Sequence, residues 1–274
     1  MSTPPTNQTP PMYSTHSEGH PPRRTKRQIP LSSYTGHIDK PRQAQRLTYN
    51  SPYTPDSDAS DIPPDNNVSI IKTSVGPMDN SCYLLAVNGD AVLIDAATDA
   101  PFLLDLADAA ELTITDIITT HSHHDHVGAL REVIYQTGAR HHASRGDAPE
   151  LPAEVNRTVG DGSPLDLAGS SLHRLQLRGI TLHGHTSEGL AVVFDPSLSL
   201  GITAPTHIFT GDSLFPGGVG KTTSQDDFTL LFNDVTTKLF DVYADSTWVH
   251  PGHGDDTTLG TERPHLDEWR QRGW

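Results

Sequence analysis

The 274-residue sequence contains a single cysteine, Cys82, which excludes an intramolecular disulfide framework. It has no continuous apolar run of the roughly 18–20 residues that a membrane-spanning helix requires. Its N-terminus also has no apolar segment of the kind that marks a signal peptide. We therefore expect a cytoplasmic protein without a membrane partner, in which Cys82 is buried as a small hydrophobic residue.

Positive charge is scarce over most of the chain. Residues 67–274 contain 12 Lys and Arg against 28 Asp and Glu, a net charge of −16, whereas residues 1–66 have a net charge of +1. Such an acidic body repels phosphate backbones, so we expect no nucleic-acid partner. Bound metal cations would offset part of this negative charge.

Apolar runs are almost missing from the first quarter of the chain, where residues 1–66 hold 12 of the 22 prolines. A segment rich in Pro, Ser and Thr buries too little apolar area to offset the entropy lost on ordering. The sequence therefore predicts a disordered N-terminal tail over residues 1–66 and one folded domain over residues 67–274.

The folded part alternates between two kinds of apolar spacing. Runs rich in β-branched residues predict strands, and apolar residues three or four apart predict helices. The segment Asn88-Gly89-Asp90 predicts a hairpin turn. Strands are predicted at 68–75, 82–87, 91–96, 114–119, 140–143, 171–177, 190–195, 207–210 and 248–250, and helices at 101–111, 127–137, 225–243 and 262–269. This mixture predicts a layered α/β or α+β domain.

Four histidines and an aspartate crowd into THSHHDH at 120–126, directly after the predicted strand 114–119. Residues two apart in an extended segment point the same way, so His121 and His123 can converge on one ion. Asp125 and His126 can face a second ion where the chain turns into the next helix. Imidazole and carboxylate groups suit Zn²⁺ and similar divalent ions. A solvated, His-rich loop is the alternative, and the H-x-H-x-D-H spacing after a buried strand favours metal.

Three later stretches place further ligand-type residues in glycine-flanked turns just past strands. They are GHT at 184–186, TGDSLF at 210–215 and HPGHG at 250–254. Glycine lets the backbone bend close to an ion. Because four ligands from one loop cannot complete two sites, we expect these turns to supply the rest.

Together these motifs resemble the metallo-β-lactamase-fold hydrolases, closest to the glyoxalase II (hydroxyacylglutathione hydrolase) branch. The resemblance rests on the three motifs THSHHDH, GHT and HPGHG and on FTGDSLFPGGVGK at 209–221, and it covers residues 68–274. It implies an αββα four-layer sandwich as the catalytic domain, with the metal site at one edge of the sheets. The resemblance is to a short form of the enzyme, without the C-terminal helical domain of the long glyoxalase II enzymes.

The resemblance also implies a binuclear metal centre, most readily with two Zn²⁺ ions and with iron or manganese as alternatives. By this pattern His121, His123 and His185 match the ligands of the first ion, Asp125, His126 and His253 match those of the second, and Asp212 matches the carboxylate that bridges both. Asp95 matches a residue at a strand end that supports the ligands without binding metal.

The implied reaction is hydrolysis of a thioester of a low-molecular-weight thiol, by attack of a hydroxide that bridges the two ions. A thiolate leaves readily because the pKa of a thiol is about 8.5. Asp125 is also a candidate proton acceptor during turnover. Lys221 resembles a lysine that contacts the glutathione part of the substrate in glyoxalase II, and a surface cation is the alternative reading.

Two positions depart from the family pattern. Ser187 and Glu188 follow GHT where the family often has one residue and then glycine, and Gly189 comes one place later. Residues 222–224 replace a tyrosine that is common shortly after the lysine. A thiol other than glutathione is therefore an alternative carrier.

Other activities of the same fold remain open. One is hydrolysis of a lactone, another ester or a β-lactam, although the GDSLFPGGVGK stretch argues against the lactonase branch. Another is a persulfide dioxygenase, which the resemblance would give one iron on His121, His185 and Asp212. A binding role without catalysis is the last alternative.

Overall fold

The computed structural model describes residues 44–49 and 67–273, together with the backbone of the strand Leu31–Ser33. Fifteen strands and seven α-helices are found in this part of the chain. The first sheet contains β1 (Leu31–Ser33), β2 (Ala44–Tyr49), β3 (Val68–Val75), β4 (Asn80–Val87), β5 (Asp90–Ile94), β6 (Thr113–Ile118), β7 (Arg140–Ser144) and β8 (Arg157–Val159). These eight strands lie side by side in chain order.

The second sheet has five strands in the order β15-β14-β11-β10-β9. Its members are β9 (Arg178–Leu182), β10 (Gly189–Phe194), β11 (His207–Gly211), β14 (Trp248–Pro251) and β15 (Thr257–Thr258). The short strands β12 (Leu214–Phe215) and β13 (Gly218–Val219) form a separate hairpin.

The helices are α1 (Ala100–Ala109), α2 (His124–Val127), α3 (Leu130–Thr137), α4 (Pro196–Leu200), α5 (Gln225–Val235), α6 (Leu259–Glu262) and α7 (Leu266–Arg272). Among the described residues, none of these helices combines the length and the apolar character needed to cross a membrane.

The two sheets face each other across a shared apolar core. Tyr83 and Leu85 of β4 contribute to this core from one side, and Val192 of β10 and Phe209 of β11 contribute from the other. The alternate residues of β4, among them Leu84, face the opposite side of the first sheet. Successive side chains of a strand point to opposite faces, and apolar clusters cover both faces of the first sheet at β4. Strand β4 is therefore buried along its whole length.

Helices cover the outer faces of both sheets. Leu103 of α1 packs in one cluster with Leu84, outside the first sheet. Leu231 of α5 and Trp269 of α7 share another cluster with Ile208 of β11, outside the second sheet. The three clusters separate four layers, so the predicted αββα sandwich is confirmed.

The predicted hairpin at Asn88-Gly89-Asp90 is also confirmed. Strand β4 ends and β5 begins with the pair Val87 and Asp90, and both Asn88 and Gly89 have positive φ angles. Positive φ at both central positions is the geometry that allows a tight turn between twisted strands. Cys82 is 1% exposed in β4, as expected.

The tail predicted over residues 1–66 contains a strand that the sequence reading did not find. Strand β2 pairs antiparallel with β3, from Gln45 opposite Lys72 to Tyr49 opposite Val68. Ala44 is fully buried, and Leu47 and Tyr49 pack against the core between the sheets. For this strand the prediction of a disordered tail is wrong. The rest of the predicted tail, except the strand Leu31–Ser33, lies outside the described residues.

The strand predicted at 171–177 is wrong as well. Residues Leu172–Leu175 form a 3₁₀ turn, and the strand β9 begins only at Arg178. Leu172 and Leu175 are both fully buried. Their spacing of three is what places both side chains on one side of a helical turn.

Three predicted helices are shorter or interrupted. The helix predicted at 127–137 is interrupted, because α2 ends at Val127 and α3 begins at Leu130. At Gly128, between the two helices, a Cβ would meet the Ala97 carbonyl at 2.7 Å. The helix predicted at 225–243 continues past α5 only as a π-helical turn, Thr236–Phe240. In the region predicted as 262–269, a 3₁₀ turn that contains Pro264 separates α6 from α7.

Candidate metal centre

Five strand ends meet at one edge of the sandwich. Strands β5 and β6 are parallel neighbours in the first sheet, and β11 and β14 are parallel neighbours in the second. Strand β9 runs in the same direction as β11, because both are antiparallel to β10. The residues that follow these five strands therefore lie at one edge, as the sequence motifs predict.

Three histidines from two sheets form the first ligand group. One nitrogen from each of His121, His123 and His185 lies within 4.8 Å of the others. The Nε2 atoms of His121 and His185 are buried and have no hydrogen-bond partner among the described residues. Burial holds the pKa of His121 well below its usual range and also lowers that of His185. Both rings are therefore neutral at pH 7, which is the form that binds metal.

Asp125, His126 and His253 form the second ligand group. The Nε2 atoms of His126 and His253 are 3.1 Å apart, and Asp125 Oδ2 is 3.3 Å from His253 Nε2. Burial acts to raise the pKa of Asp125, but a hydrogen bond from the Asn80 amide and nearby histidines outweigh burial and lower the pKa. The carboxylate is therefore ionised and presents a negative oxygen to the group.

Asp212 lies between the two groups. Its Oδ1 is 3.3 Å from His126 Nε2, and its Oδ2 is 3.4 Å from His253 Nε2 in the second group. The same Oδ2 is 3.7 Å from His185 Nε2 and 4.0 Å from His121 Nε2 in the first group. Burial opposes ionisation of Asp212, yet hydrogen bonds from His126 and His253 hold its pKa well below the usual range.

The second group attracts positive charge. Burial alone would lower the pKa of His126, but the carboxylates of Asp212 and Asp95 raise it to about 10. Burial acts on His253 in the same direction, and Asp212 again raises the pKa. The carboxylates that favour the protonated rings would equally favour a metal cation, which would replace the proton on the Nε2 atoms.

Asp95 holds the ligand loop from behind. Its Oδ1 accepts a hydrogen bond from the Thr120 backbone at 2.8 Å, and its Oδ2 accepts from the Thr120 hydroxyl at 2.7 Å. The same Oδ2 accepts from His126 Nδ1 at 2.8 Å, which turns His126 Nε2 towards the centre. Both oxygens are occupied by protein donors, so the geometry favours the supporting role that the sequence predicts for Asp95.

The donor set fits a pair of divalent ions. Five imidazoles and two carboxylates meet here, with Asp212 in contact with both groups. Nitrogen and oxygen donors in these numbers suit zinc, iron or manganese, and the arrangement does not distinguish among them.

The sequence from 75 to 259 matches the family model of the metallo-beta-lactamase superfamily. The chain belongs to the metallo-β-lactamase superfamily. Membership in this superfamily implies a metal-dependent hydrolase, consistent with the geometry of the two ligand groups.

Relatives within the superfamily include a hydroxyacylglutathione hydrolase of Fuscovulum blasticum. It is 36% identical over 145 residues, which cover 52% of this chain and 51% of that protein. The chain thus spans about half the length of the hydroxyacylglutathione hydrolases that it matches.

Solved structures of the superfamily share the fold. The crystal structure of TTHA1623 in a di-iron-bound form has a TM-score of 0.57 and 27% identity, and the match covers 70% of this chain and 96% of that one. A metallo-β-lactamase of Staphylococcus aureus has a TM-score of 0.64 and 22% identity, with 74% of this chain and 63% of that chain covered.

A cavity of about 310 Å³ opens beside the first ligand group. It is lined by His185, Asp212, Phe215 and residues 216–221, the glycine-rich loop that ends at Lys221. The backbone carbonyl of Lys221 accepts a hydrogen bond from His185 Nδ1 at 2.7 Å, which fixes that ring. The structure thus places Lys221 next to the first group, and its contact with substrate stays a prediction.

The sequence reading missed Asn80 and Gly252. The Asn80 amide donates to Asp125 Oδ2 at 2.9 Å, and a Cβ on Gly252 would meet His126 Cε1 at 2.7 Å. Asn80 is the first residue of β4, and Asp95 follows the last residue of β5. Because these two strands are antiparallel, both residues lie at the same edge of the sheet, which the predicted hairpin already implies. Gly252 lies within the HPGHG motif, whose spacing does not show its approach to His126.

Proposed function

We propose that this protein is a binuclear metal-dependent hydrolase that cleaves a thioester of a low-molecular-weight thiol. The observation that carries the proposal is the position of Asp212, whose carboxylate faces both ligand groups beside a cavity of about 310 Å³. The similarity to hydroxyacylglutathione hydrolases supports a thioester as the substrate.

The proposed ligands are those that the sequence predicts. His121, His123 and His185 would hold one ion, Asp125, His126 and His253 would hold the other, and Asp212 lies against both groups. When bound, such a pair supplies an acidified water molecule and positive charge opposite the carbonyl oxygen. Asp125 is ionised because its pKa is lowered, which suits a metal ligand better than a group that must hold a proton near pH 7.

The cavity receives the thioester. Phe215 and Val219 supply apolar surface, and residues 216–218 and 220 contribute little side-chain bulk. The acyl carbon lies near His185 and Asp212, the two ligands that reach the cavity wall. The departing thiolate needs no proton donor of its own, because the pKa of a thiol is about 8.5. This explains how the site can act without a dedicated acid residue.

Lys221 binds an anionic part of the thiol carrier at the end of the glycine-rich loop. The expected result of Lys221→Ala is an increase in KM of about 10- to 150-fold for a glutathione thioester, with kcat unchanged, since an ionic hydrogen bond contributes about 1.5–3 kcal/mol. Lys221→Arg should restore most of the affinity, because the positive charge returns and the backbone carbonyl that orients His185 is kept. An unchanged KM in Lys221→Ala would show that Lys221 is a surface cation that does not contact the substrate.

The activity is tested with a panel of S-lactoylglutathione, a simple lactone and nitrocefin, with and without a chelator. We expect chelator-sensitive turnover of the thioester, abolished in His123→Ala. His124→Ala is the matched control, because the His124 side chain lies in the same motif but is 94% exposed. Absence of thioester turnover by the metal-loaded protein would overturn the proposal.

The panel, together with an oxygen-uptake assay, also separates the other activities of the fold. Turnover of the lactone or of nitrocefin alone would indicate an esterase or a β-lactamase. Oxygen uptake with a glutathione persulfide, at one iron per chain, would indicate a dioxygenase. The complete second group of Asp125, His126 and His253 favours two ions over one.

A further inference from the structure

The first ligand group depends on two loops that belong to different sheets. His121 and His123 follow β6 of the first sheet, and His185 lies between β9 and β10 of the second. Metal ligands must be held within about 0.5 Å of their productive positions. Some contact across the two sheets must therefore fix the distance between these loops.

The buried carboxylate of Asp147 makes such a contact. Asp147 is 1% exposed and lies in the turn that follows β7. Its Oδ2 accepts a hydrogen bond at 2.9 Å from the backbone N–H of Ser122, the residue between His121 and His123. Its Oδ1 accepts at 2.9 Å from the backbone N–H of Glu188, three residues after His185. One carboxylate thus joins the two ligand loops directly.

Glu188 completes the connection in the opposite direction. Its Oε2 accepts a hydrogen bond at 2.5 Å from the backbone N–H of Gly146, the residue before Asp147. A Cβ on Gly146 would lie 2.5 Å from Glu188 Cβ, so glycine is needed for this approach. We name this reciprocal pair of Asp147 and Glu188 the interloop clasp.

The interloop clasp explains a departure from the family pattern. Ser187 and Glu188 stand after GHT where the family often has one residue and then glycine. The additional residue places both a backbone N–H and a carboxylate opposite Gly146 and Asp147. The altered spacing therefore accompanies a specific set of contacts.

We propose that Asp147 is a positioning residue for the first metal ion, and that Glu188 is its partner in the interloop clasp. Asp147 acts through the Ser122 backbone and, beside the hydrogen bond of 2.7 Å from the Leu190 N–H to the Thr120 carbonyl, holds His121 and His123 at their distance from His185. This inference rests on the metal centre of the proposed function, but it does not depend on which substrate is cleaved.

The test measures metal affinity at each site separately. In a His253→Ala background the first group is intact, and in a His185→Ala background the second group is intact. Zn²⁺ dissociation constants are measured by competition with a chromophoric chelator, with and without Asp147→Ala. We expect Asp147→Ala to weaken the first site by about 10- to 100-fold, the effect typical of residues that support ligands, and to leave the second site unchanged.

Asp116→Asn is the matched control. Asp116 is a fully buried carboxylate that accepts hydrogen bonds from the backbone of Ala168 and Gly169, a segment without ligands. It should lower the melting temperature without changing either Zn²⁺ affinity. If Asp147→Ala does not fold, Glu188→Gln removes the charge of the clasp from the other side and should weaken the first site by a smaller factor.

Equal losses at both sites, or no loss at the first site, would overturn the role of Asp147. Failure of the proposed function looks different. If the unsubstituted protein binds two Zn²⁺ ions but hydrolyses no thioester, the proposed substrate is wrong and the interloop clasp is still measurable. If the unsubstituted protein binds none of Zn²⁺, Fe²⁺ and Mn²⁺ at His121, His123 and His185, both proposals fail.

Discussion

Asp212 reaches both ligand groups because the backbone around it leaves room. A Cβ on Gly252 would collide with Asp212 Oδ1, and a Cβ on Gly220 would collide with the Asp212 carbonyl. Gly252 stands in the HPGHG turn, and Gly220 stands in the longer motif FTGDSLFPGGVGK. Their role is to let a buried carboxylate approach imidazoles that come from opposite sheets.

Asp212→Ala should reduce the metal content of the purified protein from two ions per chain to one or fewer. The substitution removes a carboxylate whose oxygens lie 3.3–4.0 Å from ligand nitrogens of both groups. Metal content is measured by elemental analysis after dialysis. Asp166→Ala, which changes a carboxylate that is 66% exposed, should keep both ions. Two ions in Asp212→Ala would refute the bridging assignment.

Sequence reasoning predicted the candidate ligands and the supporting residue Asp95, but it did not predict the contacts of Asn80. His121, His123, Asp125 and His126 are close together in the chain, so their spacing alone indicates a common centre. Asn80 contacts Asp125 across 45 residues of sequence and lies near His253 across 173. Contacts at such separations depend on how the strands are ordered, which spacing within a motif does not reveal.

A buried ion pair stabilises the loop that carries His253. Lys72 Nζ donates to Asp256 Oδ1 and to the Gly254 carbonyl, both at 2.7 Å, and His250 Nδ1 is 3.0 Å from Asp256 Oδ2. Burial opposes ionisation of Asp256, but His250 and Lys72 outweigh it and hold its pKa well below the usual range. The ionised carboxylate therefore contributes to folding stability above pH 4.

Asp256→Asn should lower the free energy of unfolding by about 3–5 kcal/mol at pH 7, since it leaves Lys72 buried without its charged partner. The pKa of Asp256 is lower in the folded state than the value of about 3.9 in the unfolded chain. The contribution of the carboxylate is therefore present above that value and lost as the pH falls through the folded pKa. In urea denaturation, the difference between the two proteins should shrink below pH 4. A difference that stays constant down to pH 2.5 would contradict this account.

Among the secondary-structure elements, the strands that lead into the ligand turns were predicted correctly, whereas the strand predicted at 171–177 was not. The predicted strands 114–119, 207–210 and 248–250 correspond to β6, β11 and β14, because each is buried over most of its length. The segment 171–177 failed because its leucines contact the core from a 3₁₀ turn. Alternation and a spacing of three are hard to separate over so few residues.

The hairpin of β12 and β13 is held against the C-terminal helices. Glu262 is 3% exposed, and its Oε2 accepts a hydrogen bond at 2.8 Å from the Gly217 backbone at the tip of the hairpin. Its Oε1 accepts at 2.6 Å from the Thr257 hydroxyl. Arg272 donates to the Gly217 carbonyl at 3.1 Å. The cavity wall thus depends on a carboxylate that lies outside the cavity.

Glu262→Ala should raise KM for the thioester about 10-fold, because losing a charge-assisted hydrogen bond of about 1.5–3 kcal/mol lets the hairpin move. We expect kcat and the metal content to stay unchanged, since none of the ligands contacts Glu262 in the described structure. Glu268→Ala, in the same segment but with a side chain that is 65% exposed, is the control for general destabilisation. Loss of metal in Glu262→Ala would show that the hairpin also supports the ligands.

For the molecule as a whole, composition placed the N-terminal boundary of the folded domain at residue 67, although strand β2 belongs to the first sheet. The prediction of a tail rested on the average composition of residues 1–66, which the six residues of strand β2 are too few to change. The apolar residues Leu47 and Tyr49 alternate with polar ones, the pattern of a half-buried strand. Only the pairing with β3 shows that this pattern extends the first sheet.

Deleting residues 1–66 should therefore destabilise the domain more than deleting residues 1–30 does. The longer deletion removes the hydrogen bond of 2.5 Å between the Tyr49 hydroxyl and His207 Nε2, and it exposes the edge of β3. Losing the burial of Leu47 and Tyr49 should lower the free energy of unfolding by at least about 2 kcal/mol, or the melting temperature by about 4–8 °C. The metal ligands lie at the ends of other strands, so the activity of the longer deletion should survive at temperatures where the domain stays folded. Equal melting temperatures for the two deletions would show that β2 adds no stability, because the shorter deletion keeps both β1 and β2.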